Sequence, residues 1–209
     1  MSELKSRDAR LRRFWDKQSK SYDRQMGFMD RRFFRDTRAW ICRQAAGETL
    51  EVAIGTGLNL PHYPAGVRLT GVEWSPEMLD RARRRATDLG RDADLQTGDA
   101  QSLPFPDASF DTVVCTFSLC AIPDDRRAVG EMVRVVRPGG LLLLADHVEA
   151  TSRIGRLLQR SLELYTVRFQ GEYWRRRPIR HVQALGPPIE HHDGFSYGAV
   201  ERFAARVPG

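Results

Sequence analysis

The 209-residue sequence contains no apolar run that approaches the roughly 18 residues of a membrane-spanning helix. Its first residues are charged, unlike the apolar centre of a secretory signal peptide. The three cysteines, Cys42, Cys115 and Cys120, are an odd number without the spacing of metal ligands. These absences predict a cytoplasmic protein without a disulfide framework or a metal site.

Loops that bind phosphate groups are also missing. No Gly-Lys-Ser/Thr occurs, so there is no Walker loop. Gly55-Thr56-Gly57 follows an apolar stretch, but Leu60 stands at the third glycine position of a dinucleotide-binding G-x-G-x-x-G. No cluster of Arg, Lys or Ser lies at this turn. The pattern favours an adenosine cofactor without phosphates, and a nicotinamide oxidoreductase remains the alternative.

Hydrophobic residues make up 41% of the chain and charged residues 29%, which is typical of one globular domain over residues 1–209. The net charge of +6 is uneven, because residues 1–43 carry 13 Lys/Arg and 6 Asp/Glu, and residues 153–180 carry 8 and 2. Such segments can attract a membrane surface, a nucleic acid or an acidic substrate. Arginines that merely solubilise exposed helices are an equal alternative.

The N-terminal part predicts a helical cap over residues 1–45. Residues 4–24 form a basic amphipathic pattern that loosens near Ser19, and a second helix is expected at residues 30–45. A basic helix that carries aromatic residues can lie on an anionic bilayer or pack on its own domain. Its apolar face holds Leu4, Leu11, Phe14 and Trp15.

Strands and helices alternate from residue 49 onward. Regular alternation predicts an α/β fold of the Rossmann-like, doubly wound type, with a seven-stranded, mostly parallel sheet and helices on both faces. Residues 49–149 form the cofactor-binding core, and residues 150–209 the acceptor-side helices and closing strands. The expected strands are 49–54, 68–73, 94–97, 111–117, 141–146, 189–192 and 199–207, and the expected helices after the cap are 75–89, 124–136 and 152–170.

Acidic residues follow two of these strands, at the edge where such sheets bind ligands. Glu73 ends the second strand, where a carboxylate can accept hydrogen bonds from both ribose hydroxyls of an adenosine. Trp74 and Met78 can pack on the adenine. Asp99 follows the third strand and can accept a hydrogen bond from the adenine amine, and Ala100 leaves room for the ring.

Five segments resemble the class I S-adenosylmethionine-dependent methyltransferases: 51–59, Glu73, 98–100, 110–111 and 137–140. The resemblance is to methyltransferase type 11, the group with ubiquinone/menaquinone C-methyltransferases, bacterial phosphatidylethanolamine N-methyltransferases and methyltransferase-like 7 thiol methyltransferases. This chain departs from the family pattern in having Ala53 and Asn59 in place of glycines. The resemblance implies S-adenosylmethionine as cofactor, bound by Tyr22, Glu51, Ala53, Gly55, Thr56, Gly57, Asn59, Glu73, Trp74, Met78, Asp99, Ala100, Thr116 and Phe117.

Methyl transfer from a sulfonium mainly requires alignment of the acceptor and exclusion of water. His147, just past the fifth strand, is the candidate general base, and Tyr22 is a second candidate catalytic residue. A covalent role for Cys115 or Cys120 is disfavoured on an apolar strand. The expected acceptor pocket contains Ser118, Leu119, His62 and Trp174.

The sequence therefore predicts methyl transfer to N, S or O of a small or amphipathic molecule. A phospholipid amine such as phosphatidylethanolamine is one candidate, with peripheral contact to an anionic membrane. Small thiols, quinones and secondary metabolites are alternatives. A nucleic acid is disfavoured, because Cys115-Thr116-Phe117-Ser118 stands where methyltransferases of nucleic-acid amines have Asn/Asp-Pro-Pro-aromatic. A non-catalytic protein that binds anionic lipid or RNA is the alternative of another class, and the chain is expected to be a monomer or homodimer.

Overall fold

The computed structural model describes residues 2–209, with side chains from residue 9 onward. Its seven-stranded sheet has the order β3-β2-β1-β4-β5-β7-β6. Neighbours among the first five strands pair in parallel, whereas β7 is antiparallel to both β5 and β6. The predicted fold class is confirmed. The strands are β1 Glu48–Val52, β2 Arg68–Glu73, β3 Ala93–Thr97, β4 Phe110–Thr116, β5 Val136–His147, β6 Ile189–Phe195 and β7 Val200–Arg206.

Six α-helices cover this sheet: α1 Ser2–Met29, α2 Thr37–Cys42, α3 Pro76–Asp88, α4 Asp125–Val135, α5 Arg153–Phe169 and α6 Pro178–Leu185. A π-helical turn, Asp30–Phe34, and a 3₁₀ turn, Leu60–His62, complete the helical structure. The start of α3 agrees with its sequence signal, because the Ser75 hydroxyl accepts a hydrogen bond from Met78 N and Pro76 occupies the first turn. Across the described chain, every helix is too short or too polar to traverse a bilayer.

The central strands are buried on both faces, as their continuous apolar sequences predict. Val113 and Val114 are both fully buried and belong to hydrophobic clusters on opposite sides of the sheet. The strand order reverses between β1 and β4. In doubly wound folds the crevice at this reversal is the ordinary ligand site.

The N-terminal region differs from two predictions. Helix α1 does not loosen near Ser19: it is continuous from Ser2 to Met29, and the buried Ser19 hydroxyl donates to Asp16 O within the helix. The continuous helix expected at residues 30–45 is divided, since Arg35 adopts a left-handed φ of 55° between the π-helical turn and α2. Leu4 lies outside the part of the chain whose side chains are described.

The C-terminal region holds one helix that was not predicted, α6. Pro178 begins it and Gly186, with a φ of 104°, ends it. This pair is the usual signal for a helix start and stop, although the preceding run of arginines obscured it. Strand β6 also extends beyond the predicted residue 192, to Phe195.

Candidate active site

A cleft opens at the strand-order reversal, over the carboxyl ends of β1, β2 and β4. It has about 720 Å³ of space, including the part open to solvent. Most of the residues predicted from the strand ends lie on it, together with residues of α1. Its lining is Trp15, Tyr22, Ala53, Gly55, Val72, Glu73, Trp74, Met78, Gly98, Asp99, Ala100, Gln101, Phe117, Ser118, Ala121, Ile122 and Pro123.

The turn after β1 places two glycines in different roles. A Cβ on Gly55 would meet no atom nearer than Ala53 O, at 4.0 Å, so this glycine leaves space at the cleft. A Cβ on Gly57 would lie 2.6 Å from Leu60 Cδ1 and 3.2 Å from Ala82 Cα. Gly57 therefore permits close packing of the turn on α3, and it does not line the cleft.

Ala53 departs from the family glycine at a position where glycine is favoured by the backbone. Its φ is 55°, in the left-handed region. A side chain there costs about 1–2 kcal/mol relative to ordinary helical or extended backbone. The substitution is therefore less conservative than its small volume indicates.

Glu73 holds its carboxylate at the base of the cleft through two backbone groups. Gly55 N donates to Oε2 at 3.0 Å, and Ser75 N donates to Oε1 at 2.8 Å. Burial raises the pKa of this carboxyl, and the backbone hydrogen bonds oppose that rise. Each oxygen retains a second lone pair, so the carboxylate can accept further hydrogen bonds from a ligand.

A buried polar layer lies under the turn and links β1 to β4. Asn59 Nδ2 donates to Glu51 Oε1 at 2.8 Å and to Thr116 Oγ1 at 2.9 Å. Tyr63 donates its hydroxyl to Glu51 Oε2 at 2.9 Å. Burial raises the pKa of Glu51 to about 7, against the lowering effect of these two donors. Glu51, Asn59 and Thr116 thus stand behind the cleft surface, where they support it.

Arg38 joins this layer from α2 and was missed by sequence reasoning. Its Nη1 donates to Asn59 Oδ1 at 3.1 Å, and its Nε pairs with Asp30 at 3.1 Å. The Nη2 atom is buried and has no hydrogen-bond partner among the described residues. The guanidinium also lies 5.1 Å from the ring centre of Phe117. A buried guanidinium with one unpartnered nitrogen near the cleft is suited to an anionic ligand group.

Helix α1 covers the cleft and is fastened to the strand ends by two aspartates one heptad apart. Ser75 donates its hydroxyl to Asp16 Oδ1 at 2.5 Å, and Thr56 donates its hydroxyl to Asp23 Oδ1 at 2.6 Å. Arg85 Nη2 pairs with Asp23 Oδ2 at 2.6 Å. The predicted cofactor residue Thr56 therefore contacts the covering helix and does not line the cleft.

A second cleft adjoins the first and shares Trp15, Tyr22 and Phe117 with it. Phe117 stacks on Phe34 with ring centres 3.9 Å apart. Most of the lining of the second cleft is apolar or aromatic, and the rest is polar. The lining is Phe14, Trp15, Gln18, Tyr22, Gln25, Met26, Phe28, Met29, Phe34, Phe117, Cys120, His147, Gln170, Glu172 and Trp174.

His147 and Trp174 meet in this second cleft, as stacked rings 4.2 Å apart. His147 Nδ1 is buried and lacks a hydrogen-bond partner within the described residues. Burial lowers the pKa of His147 despite the neighbouring Asp146, so the neutral imidazole predominates at pH 7. Burial also raises the pKa of Glu172 to about 7. The pKa of Tyr22 is raised by burial, which leaves its hydroxyl a donor and not a base.

Of the four residues expected in the acceptor pocket, Trp174 lines the second cleft, Ser118 lines only the first, and Leu119 and His62 line neither. Leu119 is 1% exposed and packs in the core cluster on one side of the sheet. His62 lines neither cleft and lies near Arg38 and Arg43, which together with burial lower its pKa. Ser118 does reach the first cleft, where its hydroxyl donates to Thr116 O at 2.9 Å.

Cys120, Asp146 and His147 bring a thiol, a carboxylate and an imidazole within 4.8 Å of one another. Both oxygens of Asp146 accept backbone hydrogen bonds, from Cys120 N at 3.1 Å and His147 N at 2.8 Å. The carboxylate thus joins the loop after β4 to the end of β5. Burial raises the pKa of the Cys115 and Cys120 thiols, which disfavours a thiolate nucleophile.

Comparison with known proteins identifies relatives of this chain by sequence. Residues 50–144 match the family model described as a methyltransferase domain. This stretch is a methyltransferase domain. The chain is 45% identical over 103 residues to a phosphatidylethanolamine N-methyltransferase of Cereibacter sphaeroides, which covers 48% of this chain and 51% of that protein. It is 36% identical over 121 residues to a demethylmenaquinone methyltransferase of Deinococcus radiodurans, covering 56% and 50%. The chain thus spans about half the length of these relatives.

Solved structures extend the likeness beyond the methyltransferase domain, at the level of the fold. A S-adenosylmethionine-dependent methyltransferase of Thermotoga maritima matches with a TM-score of 0.69 and 21% identity, over 92% of this chain and 97% of that one. A [4+2]-cyclase matches with a TM-score of 0.68 and 20% identity, over 83% and 79%. One fold therefore accompanies different reactions, and the function must be argued from the site.

Proposed function

We propose that this protein transfers a methyl group from S-adenosylmethionine to the amine of phosphatidylethanolamine. The observation that carries the proposal is the pair of joined clefts, one bordered by acidic strand ends and the other by apolar side chains around a neutral histidine. The match of residues 50–144 to a methyltransferase domain supports the reaction class.

The first cleft would hold the cofactor. Glu73 would accept the ribose hydroxyls, Asp99 the adenine amine, and Gly55 would admit the ligand close to the backbone. The unpartnered Nη2 of Arg38 suits the carboxylate of the methionine part. When bound, the cofactor supplies an electrophilic methyl group on a sulfonium.

The second cleft would hold the acceptor. Tyr22 and Phe117 border both clefts, so the acceptor amine would approach the methyl group between these rings. An amine must lose its proton before it is nucleophilic, and His147 Nδ1 is a buried, unpartnered acceptor for that proton. Trp174 holds the imidazole by stacking, and α1 excludes water by closing over both clefts.

The acceptor class rests on two further observations. Apolar side chains such as Phe14, Met26 and Phe28 line the outer part of the second cleft, where acyl chains or another apolar body would lie. The Cereibacter sphaeroides relative bears the name of a phosphatidylethanolamine N-methyltransferase. A quinol is the second candidate acceptor, favoured by the Deinococcus radiodurans relative and by the same apolar lining.

Two measurements test the proposal. Isothermal titration with S-adenosylhomocysteine should show that Glu73→Ala and Asp99→Ala each weaken binding about tenfold or more, the value of one charged hydrogen bond. Asp94→Ala, an exposed acid of β3 outside both clefts, is the matched control. Formation of S-adenosylhomocysteine is then followed with phosphatidylethanolamine, demethylmenaquinol and small thiols. Unchanged binding in both variants would refute the cofactor site, and turnover of a thiol but not the lipid would refute the acceptor.

A further inference from the structure

Helix α5 presents most of its large apolar residues to solvent, whereas the residues it buries, Gln159 and Thr166, are polar. Six apolar side chains are each more than half exposed: Ile154, Leu157, Leu158, Leu164, Tyr165 and Phe169. They lie within one arc of the helix and are named here the outer face of α5. Globular proteins seldom expose so many large apolar side chains in one contiguous patch.

The inner side of α5 is held by specific polar contacts, so its orientation is fixed. Gln159 is buried, accepts a hydrogen bond from Ala150 N and donates to Val148 O. Glu163 accepts hydrogen bonds from Arg175 N and Nε at 3.0 and 2.6 Å. A rotation that buried the leucines would break all of these bonds. The outer face therefore cannot turn inward without a large loss of stability.

The charges around the outer face have one sign. Arg153, Arg160 and Arg168 are exposed on the same helix. Its one acidic residue, Glu163, lies on the inner side and is paired with Arg175. An apolar arc flanked by unopposed arginines has the chemistry of helices that lie in the interface of an anionic bilayer.

The chain leads from the C-terminal end of α5 directly into the second cleft. Helix α5 ends at Phe169, and the next residues, Gln170, Glu172 and Trp174, line that cleft. Phe28, another lining residue, is 57% exposed. A surface that receives the outer face of α5 would therefore lie near the opening through which a lipid acceptor enters.

We propose that the outer face of α5 docks on an anionic phospholipid bilayer, with its leucines among the acyl chains and its arginines at the head groups. The inference rests on the proposed function, because docking would serve to deliver a lipid to the second cleft. The N-terminal helix is the less suitable surface for a bilayer. Trp15 of α1 lines both clefts and Leu11 is 2% exposed, so the apolar side of α1 faces the protein.

Sedimentation with vesicles of two parts phosphatidylcholine to one part phosphatidylglycerol tests the docking without turnover. The double variant Leu158→Gln/Leu164→Gln should lower the partition coefficient at least about tenfold, because two leucine side chains no longer leave water. Leu89→Gln, which changes an exposed leucine at the end of α3, is the matched control and should bind like the wild type. High salt should weaken retention, since it screens the arginines.

Equal retention of the double variant and the control would overturn the docking proposal. So would light scattering that shows a dimer in solution which the double variant dissociates, because the outer face would then be covered by a second copy of the chain. These vesicles contain no phosphatidylethanolamine, so retention does not depend on the acceptor. Titration with S-adenosylhomocysteine should be unchanged in the double variant, which separates loss of docking from loss of the cofactor site.

Discussion

Replacing Gly55 and Gly57 separately with alanine distinguishes a residue that admits a ligand from one that packs the fold. Both have left-handed φ values, 59° and 79°, so alanine costs each about 1–2 kcal/mol of backbone strain. Both also gain about 0.4–1 kcal/mol from a less flexible unfolded chain. These two contributions cancel when the variants are compared with each other.

The difference between the variants then comes from the new methyl group. In Gly57→Ala it would overlap Leu60 Cδ1 at 2.6 Å and press on Ala82, and such overpacking typically costs about 1–3 kcal/mol. In Gly55→Ala it meets nothing within the fold nearer than 4.0 Å. Gly57→Ala should therefore be the less stable variant by about 1–3 kcal/mol. Gly55→Ala should instead lose cofactor affinity, since its methyl group occupies space at the cleft.

Urea denaturation followed by circular dichroism measures the stability of both variants, and titration with S-adenosylhomocysteine measures their affinity. We expect affinity to fall at least about tenfold in Gly55→Ala, the equivalent of about 1.4 kcal/mol. The reasoning is refuted if the two variants are equally stable, or if Gly55→Ala binds as tightly as the wild type. Equal stability would mean that the methyl group at position 57 is accommodated beside Leu60 and Ala82. Wild-type affinity would mean that the open space at Gly55 is not where the ligand lies.

Three further predictions concern ionisation and the covering helix. The folded-state pKa of Glu51 is about 7, raised from 4.5, so its stabilising effect is complete below pH 4.5 and is lost as the pH rises through 7. Glu51→Gln should make the free energy of unfolding less dependent on pH in this range, by up to about 1.4 kcal/mol per pH unit. Urea denaturation at several pH values measures this dependence, and an unchanged dependence would contradict the raised pKa. His147→Gln should lower the rate with phosphatidylethanolamine about 10²-fold or more and remove the acidic limb of its pH profile, measured as S-adenosylhomocysteine release. A retained acidic limb would assign the base elsewhere. Asp23→Asn should speed hydrogen exchange of α1 amides about fivefold through loss of its charged contacts, whereas Asp80→Asn, which breaks an exposed pair with Arg83, should not.

Much of the cofactor cleft could be predicted because its residues stand at fixed positions after strands. Glu73, Asp99 and Gly55 follow β2, β3 and β1, and parallel strands end at the same edge of the sheet. Their side chains reach one cleft for that reason. The position after β4 was less predictable. Phe117 adopts a left-handed φ of 53°, so the alternation of the strand does not continue to Leu119, which points into the core.

Residues distant in the chain were harder to assign. The two aspartates of α1 that reach Ser75 and Thr56 have a seven-residue spacing, which identifies a shared helix face but not its partner. The buried position of Arg38 could not be predicted, because one arginine among many in a basic segment is most simply a surface charge. In the second basic segment, the run of arginines at 175–177 obscured Pro178 as a helix start.

The sequence by itself determined the alternation of strands and helices, the order of acidic groups along the cofactor edge and the absence of a phosphate-binding loop. These features depend on neighbours in the chain, whose spacing fixes their geometry. The tertiary structure alone decided that α1 closes over two joined clefts, that His147 stacks on Trp174, and that α5 faces outward with its leucines. Periodicity shows that a helix has an apolar face, but the polar contacts of Gln159 and Glu163 with distant segments determine the direction in which that face points.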